Sequence, residues 1–241
     1  MKNILLILMI LLMFSSISAQ DDDNSKSVRT EGFYFNAGLV NGPSFAEFFD
    51  YVNDTYGANS ETKMDDFGNT ASFGGGYFLR LYPNFALDVG FSVYRHRANQ
   101  LIESNDPNNF VSLRHDIEYQ VGVFTVSVPV LLEFDPRQPI VPYAGIGISI
   151  YAMRLDDYRI DYASPLGDLF QRDTNTSVGG QFEVGVLAKI TGKFWIDGKA
   201  AWQSGSGRLR TLEPDPPFVM DKYKVDQNVS QFTLGVLYFF R

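Results

Sequence analysis

From Gly32 to the end of the chain, apolar and polar side chains alternate with a period of two, the pattern of strands that keep one face apolar. Eight stretches carry it. Residues 33–40 set Phe33, Phe35, Ala37 and Leu39 against Tyr34, Asn36 and Gly38, and 71–82 set Phe73, Tyr77, Leu79 and Leu81 against Gly74, Gly76 and Arg80. In 85–94, Phe85, Leu87, Val89, Phe91 and Val93 oppose Ala86, Asp88, Gly90 and Ser92. The fourth stretch, 116–133, begins with Ile117, Tyr119, Val121 and Val123 and resumes as Phe124, Val126, Val128 and Val130. That change of parity predicts a β-bulge near residues 123–125. The remaining stretches are 142–153, 178–190, 194–203 and 229–241, the last with Phe232, Leu234, Val236, Tyr238 and Phe240 on one face.

Most of these runs are 9–13 residues long, the length a tilted strand needs to cross a bilayer. The connections alternate in length. Pro83-Asn84, 135–139 and 191–193 are short, whereas 41–70, 95–115, 154–177 and 204–228 are long and polar. Short turns at one end and long loops at the other are expected of an outer-membrane barrel, with the short turns and both termini periplasmic. The first long loop is predicted to hold one helix, with Ser44 as N-cap and Glu47 completing a capping box. Phe45, Phe48, Phe49, Val52 and Tyr56 fall on its apolar side, Asp50, Asn53 and Asp54 on the other, and Gly57 is a suitable stop. Such a helix suits a lid on the barrel mouth; the competing use is a helix that binds a partner or lipid at the outer surface.

Periodicity does not say which face is inside. A soluble lipocalin-like carrier would use the same alternation with its apolar face inward. Two features favour the membrane arrangement. The polar face carries glycines and charges of both signs, Arg80, Lys189 and Lys199 with Asp88, Glu133, Glu183 and Asp197, which are expected to pair inside a narrow barrel. Aromatics stand at strand ends (Tyr82, Phe85, Phe194, Tyr238, Phe240), where interfacial girdles belong.

The first residues read as an export signal. Lys2 precedes the apolar run 4–14, too short for a spanning helix, and the small residues 15–19 follow. Cleavage is expected after Ala19, so that 1–19 is a signal peptide, 20–31 a flexible lead-in and 32–241 the barrel. The acidic Asp21-Asp22-Asp23 that follows is the wrong flank for an uncleaved anchor. No cysteine occurs, so no disulfide can hold the exported chain; backbone pairing without free edges can. Without Lys2, 19 basic residues face 28 acidic ones, a balance that argues against nucleic acid as a partner.

The chemistry-bearing residues are few. Two histidines, His96 and His115, are too few for a metal site, and no nucleophile, base and orienting acid share a motif. Asp65-Asp66 and Asp156-Asp157 read as solvated loop charges. Gly74-Gly75-Gly76 lies in a strand rather than before a helix, so it is no phosphate loop. Neither an enzyme nor a cofactor is expected. Arg95, Arg97 and Arg114, placed near the outer ends of two strands, are candidate contacts for the phosphates of lipopolysaccharide. Pro214-Asp215-Pro216-Pro217 stiffens the last long loop.

The stretch Val126-Ser127-Val128-Pro129-Val130-Leu131-Leu132-Glu133-Phe134 and the later Pro142-Tyr143-Ala144-Gly145-Ile146-Gly147 resemble the outer-membrane β-barrel domain family of small OmpA/OmpX-like barrels, whose members show P-x-x-L and then P-Y-x-G-x-G. The resemblance covers roughly 32–241. It implies an all-β fold, an eight-stranded antiparallel transmembrane barrel in the outer membrane of a Gram-negative bacterium. It also implies insertion by the barrel-insertion machinery and contact with outer-membrane lipid and lipopolysaccharide. Members usually end in an aromatic residue; here Phe240 is penultimate and Arg241 last. The family includes a component linked to protein secretion and gliding. Three roles stay open: a structural or surface-interaction barrel; a transport or secretion accessory, either a conduit for small hydrophobic ligands or an export-machine subunit in an envelope complex; and a soluble carrier.

Overall fold

A computed structural model describes residues 30–56, 63–82, 84–103, 112–132, 138–161, 168–212 and 220–240. The expected signal peptide and lead-in up to residue 29, Gly57, Glu133 and the proline-rich segment 214–217 lie outside the described residues. In chain order the elements are β1 (Thr30–Val40), α1 (Ala46–Tyr56), β2 (Thr70–Tyr82), β3 (Phe85–Glu103), β4 (Ser112–Leu131), β5 (Ile140–Asp161), β6 (Leu169–Lys189), β7 (Phe194–Ser204), β8 (Ser206–Leu212), β9 (Met220–Asp226) and β10 (Val229–Phe239). Strands β1 to β7 pair in sequence order, and β10 closes the ring between β7 and β1. All eight ring pairings are antiparallel. The β8–β9 hairpin is a separate two-stranded sheet.

The apolar face points outward. Phe35, Ile146 and Leu234 are 79%, 70% and 64% exposed, while Asp88, Ser127, Ser149, Gln181 and Glu183 are buried inside. A soluble carrier requires the reverse, because water would face the wall and the ligand the lumen. The chain therefore stands in a membrane as an eight-stranded barrel. Aromatic contacts mark the end near the short turns: Phe33 packs on Phe240 and Tyr77, and Phe194 on Tyr238.

Three predicted loops are largely strand. β3 and β4 continue to Glu103 and from Ser112, β5 and β6 to Asp161 and from Leu169, and 206–226 contains the β8–β9 hairpin. These four ring strands are 19–22 residues long, about twice the 11–13 of β1, β2, β7 and β10. The period of two persists in the extensions but the outward face turns polar, and on β4 the code inverts outright, with Ile117, Tyr119 and Val121 inward and Arg114, Asp116 and Glu118 outward. On β3, Arg95, Arg97 and Asn99 point outward and His96, Ala98 and Gln100 inward. Above the membrane the outer face meets water, so a reading keyed to an apolar outer face stops at the lipid boundary.

The same inversion accounts for the bulge that the sequence suggests and the structure lacks. β4 pairs with β5 in unbroken register through Val123, Phe124 and Thr125. Tyr119, Val121 and Val123 face inward onto apolar packing, and Phe124 and Val130 face outward into lipid. The register shift that does occur lies between β2 and β3, at Arg80 and Tyr82.

This assignment predicts a depth-dependent cost. Ile146→Arg, in the lipid-facing band, should destabilise the refolded barrel by about 2–4 kcal/mol, and Thr174→Arg, above it, by about 0–1 kcal/mol. Urea unfolding in lipid vesicles measures both; equal costs would contradict the placement of the band.

Candidate functional site

Eight strands enclose a lumen that side chains just fill, and this one is filled in layers. At the end near the short turns, Phe78, Ala86, Leu131, Val141, Leu187, Leu237 and Phe239 form an apolar cluster with Tyr34 and Tyr143. Above it lies a charged layer. Lys199 Nζ stands 3.2 Å from Asp88 Oδ2 and 3.6 Å from Glu183 Oε2. The Tyr34 hydroxyl donates to Asp88 (2.8 Å), that of Tyr143 to Asp197 (2.8 Å) and that of Ser127 to Glu183 (2.7 Å). Glycines make room for these groups: a Cβ at Gly90 would sit 2.3 Å from the Tyr34 hydroxyl, and one at Gly185 would sit 2.4 Å from the Tyr143 ring. An amide layer follows, in which Gln203 donates to Gln181 and Gln231, and Gln231 to Ser72.

Of the seven interior charges expected from sequence, Asp88, Glu183, Asp197 and Lys199 come together. Glu133 lies outside the described residues. Lys189 is exposed at the strand end with its ammonium 5.9 Å from the Trp195 ring centre. Arg80 is half-buried and donates to the Tyr82 carbonyl at 3.4 Å. Both occupy inward-facing positions, but at the last turn of the barrel, where solvent reaches them. Inward parity was legible in the sequence; depth along the lumen was not.

The outer mouth is stoppered. Phe45, which precedes α1, and Phe48, Phe49 and Val52 of α1 are buried with Met64, Phe67, Tyr119, Met153, Leu155, Leu209 and Val225. The Tyr56 side chain lies outside the described residues. The helix begins at Ala46, and the Phe45 carbonyl accepts the Phe49 N–H at 3.1 Å, so Phe45 rather than Ser44 supplies the first helical carbonyl. Ser44 instead pairs through its backbone with Asp226, and Asp66 accepts the Phe45 N–H at 3.3 Å. Asp66 is an exposed loop carboxylate, as its reading as a solvated charge expects, and it also accepts this backbone N–H. Asn53, expected to face away, exchanges two hydrogen bonds with the Met64 backbone, at 2.8 and 2.9 Å. Gln227 reaches down from the β9–β10 connection to the hydroxyls of Tyr94 and Tyr119.

Above the stopper, Asp157 is fully buried, contrary to its reading as a solvated loop charge. Its Oδ1 lies 2.7 Å from His115 Nε2, and its Oδ2 accepts from Arg159 at 3.3 Å and from the Thr211 hydroxyl. The edge of the Phe48 ring meets His115. A His–Asp pair is half of a nucleophile-activating set, but here the hydroxyl binds the acid rather than the imidazole, and His115, Asp157 and Thr211 are all sealed from solvent. The cluster ties β4, β5 and β8 together. Burial opposes ionisation of Asp157, yet His115, Arg159 and Thr211 outweigh it and hold the carboxyl at about 2. His96 is also enclosed; its Nδ1 meets the Gly68 carbonyl at 2.8 Å, and burial pushes the imidazole down despite that bond.

On the outer wall, Arg95 and Arg97 both contact Glu118, Arg97 at 3.4 Å. Arg114 pairs with Asp116 at 2.8 Å. Arg154 and Arg172, which sequence reasoning missed because 154–177 read as loop, share Asp156 at 2.5 and 2.8 Å. Asp156 is therefore an ion-pair centre. Burial opposes its ionisation, and the two guanidiniums bring its carboxyl down to about 2.

Two tests follow from this arrangement. Lys199→Met leaves Asp88, Glu183 and Asp197 without their shared cation and should cost about 3–5 kcal/mol, read by urea unfolding in vesicles; adding Glu183→Gln should recover part of the loss. Asp157 has a folded value near 2 against about 3.9 unfolded. Its contribution, about 2–3 kcal/mol, is therefore full above pH 4 and disappears as the pH falls through 2. Pepsin cleavage within 46–69 should accelerate over that interval, and Asp157→Asn should flatten the profile.

A family model described as outer membrane protein beta-barrel domain matches residues 7–240. No curated protein matches the chain. Among solved structures, OprG from Pseudomonas aeruginosa is similar with a TM-score of 0.53 at 10% identity, over 88% of this chain and 97% of that one. Neisserial surface protein A is similar at 14% identity and a TM-score of 0.44, over 86% and 96% of the two chains. Ail of Yersinia pestis, solved with the heparin analogue sucrose octasulfate, gives 14% identity and 0.41, over 88% and 99%. The match to OprG, at this identity, speaks to fold alone, and it agrees with the closed ring and its lipid-facing wall. The family match spans nearly the whole sequence, and the chain belongs to the outer membrane protein beta-barrel domain family.

Proposed function

We propose that this protein is a non-catalytic outer-membrane barrel with a structural and surface-interaction role, exported by a signal peptide cleaved after Ala19. The observation that carries this reading is the contrast between lumen and wall. Among the described residues the lumen is occupied from the cluster around Phe239 to the α1 stopper, whereas β3–β6 stand far above the lipid band as a stiff four-stranded blade. Antiparallel pairing along the whole blade, and the buried His115–Asp157 cluster behind it, give it the rigidity that a recognition surface needs. Its tip presents Tyr158 and Phe170 in contact at 4.6 Å, with the Arg172 guanidinium 5.3 Å from the Phe170 ring centre. Aromatic and arginine side chains of this kind are common anchors for partners.

A conduit for small hydrophobic ligands would require α1, the Gln227 bridge and the charged layer to leave their places together. A place in an export machine would rest on partners that bind the blade.

The absence of cysteine makes the reading directly testable. A single cysteine at Thr174, on the outer side of β6, should react with a membrane-impermeant maleimide on intact cells, and one at Lys193, in a short turn, should not. The purified protein should show no steady conductance in a planar bilayer. Labelling at Lys193 but not at Thr174 overturns the orientation, and stable conductance overturns the closed lumen.

A further inference from the structure

The strand register orders the outer wall of β2–β5 into rows. Arg95, Gln120 and Arg154 are neighbours across β3, β4 and β5. The next row toward the membrane is Phe73, Val93, Gly122 and Ala152, and the one after it contains Phe91, Phe124 and Ile150. In the middle row Gly122 and Ala152 carry little side-chain bulk beside Phe73 and Val93. Gly122 has open space where a Cβ would point, with nothing within 4 Å. The result is an open hollow of about 510 Å³, lined by Phe73, Val93, Gly122 and Ala152 below and by Ala71, Arg95, Gln120 and Arg154 above.

Charge is distributed unevenly around the hollow. On each flank two guanidiniums share one carboxylate, Arg95 and Arg97 on Glu118, Arg154 and Arg172 on Asp156. Each flank keeps a surplus positive charge, and each guanidinium has five donors. Arg95 and Arg154 remain 46% and 37% exposed despite their ion pairs. On the other side of the barrel, at the same boundary, the outward residues are Leu39, Trp202, Ser204 and Ser230, none of them cationic. The hollow thus straddles the level where the lipid-facing wall ends, with an apolar lower half and a cationic upper half. We infer that the wall around Gly122 binds one phosphorylated, acylated glycolipid of the outer leaflet, with an acyl chain along Phe73 and Val93 and phosphate held between Arg95 and Arg154. This rests on the barrel standing in the outer membrane, and is independent of the surface-interaction role of the blade.

The test uses the folded full-length mature chain in detergent micelles, titrated with purified bis-phosphorylated lipopolysaccharide, its dephosphorylated form, phosphatidylglycerol and inorganic phosphate. Binding is followed by the fluorescence of a reporter attached at Thr174→Cys. Gly122→Leu fills the hollow without touching a charge, and Arg95→Gln with Arg154→Gln removes the cations. Arg114→Gln, in the pair with Asp116 outside the hollow, is the control. Unheated gel migration confirms that each variant is folded. The inference expects dephosphorylation, Gly122→Leu and the double arginine variant each to weaken binding at least tenfold, with Arg114→Gln within twofold of the parent. Parent-like binding by both folded hollow variants overturns it. So does equal affinity for phosphatidylglycerol or inorganic phosphate, which would mark a general anion surface. A folded barrel that labels correctly from outside yet binds no glycolipid sinks this inference and leaves the proposed function standing.

Discussion

The width of an eight-stranded ring governs this molecule. Closing so few strands leaves a lumen that side chains alone can fill, so every inward residue must have both a volume and a polar partner that suit its neighbours. The Tyr34–Asp88–Lys199–Glu183 assembly meets that demand by placing three hydroxyls and one ammonium against three carboxylates. Its members come from β1, β3, β4, β5, β6 and β7, so the layer spans the ring from wall to wall. The inward glycines are the steric counterpart, since Gly90 and Gly185 stand where Tyr34 and Tyr143 must pass.

Above the membrane the same ring meets a different solvent, and the chain inverts its code. Within the lipid band apolar residues point out and polar ones in; in the extensions the outward face turns charged, and the inward positions of β4 and β5 hold Ile117, Tyr119, Met153 and Leu155 together with the buried His115–Asp157–Arg159 cluster. One unbroken strand such as β4 carries both codes. The cost is a mouth that would expose Ile117, Tyr119, Met153 and Leu155 if α1 left it, and the stopper is accordingly pinned at several independent points: Ser44 to Asp226, Asp66 to Phe45, Asn53 to Met64 and Phe48 to His115. Rigidity of the outer compartment and closure of the lumen are therefore one property. The outer wall is free of that constraint, and there the arginines and the gap at Gly122 are arranged with respect to lipid.

Much was legible without coordinates. Periodicity located eight ring strands, and the alternation of short and long connections oriented them. Spacing alone marked the apolar face of α1. What escaped was anything that depends on depth or on neighbours distant in sequence. Arg80 and Lys189 share inward parity with Lys199 but stand at the lumen's open end. Asp157 looked solvated because its partners, His115 and Thr211, are brought to it by other elements. Arg154 and Arg172 looked like loop residues because strand recognition depended on an apolar outward face.

The sequence by itself determined the class of structure and the number of ring strands, which follow from a period of two read against the spacing of turns, and the face that meets lipid, which follows from the mixed charges and glycines of the opposite face and the aromatics at strand ends. Tertiary structure decided which charges meet, how far each strand runs past the membrane, and where the wall is hollow. The physical reason is that pairing register and lumen depth are set by closure of the whole ring, and no local stretch of chain contains that information.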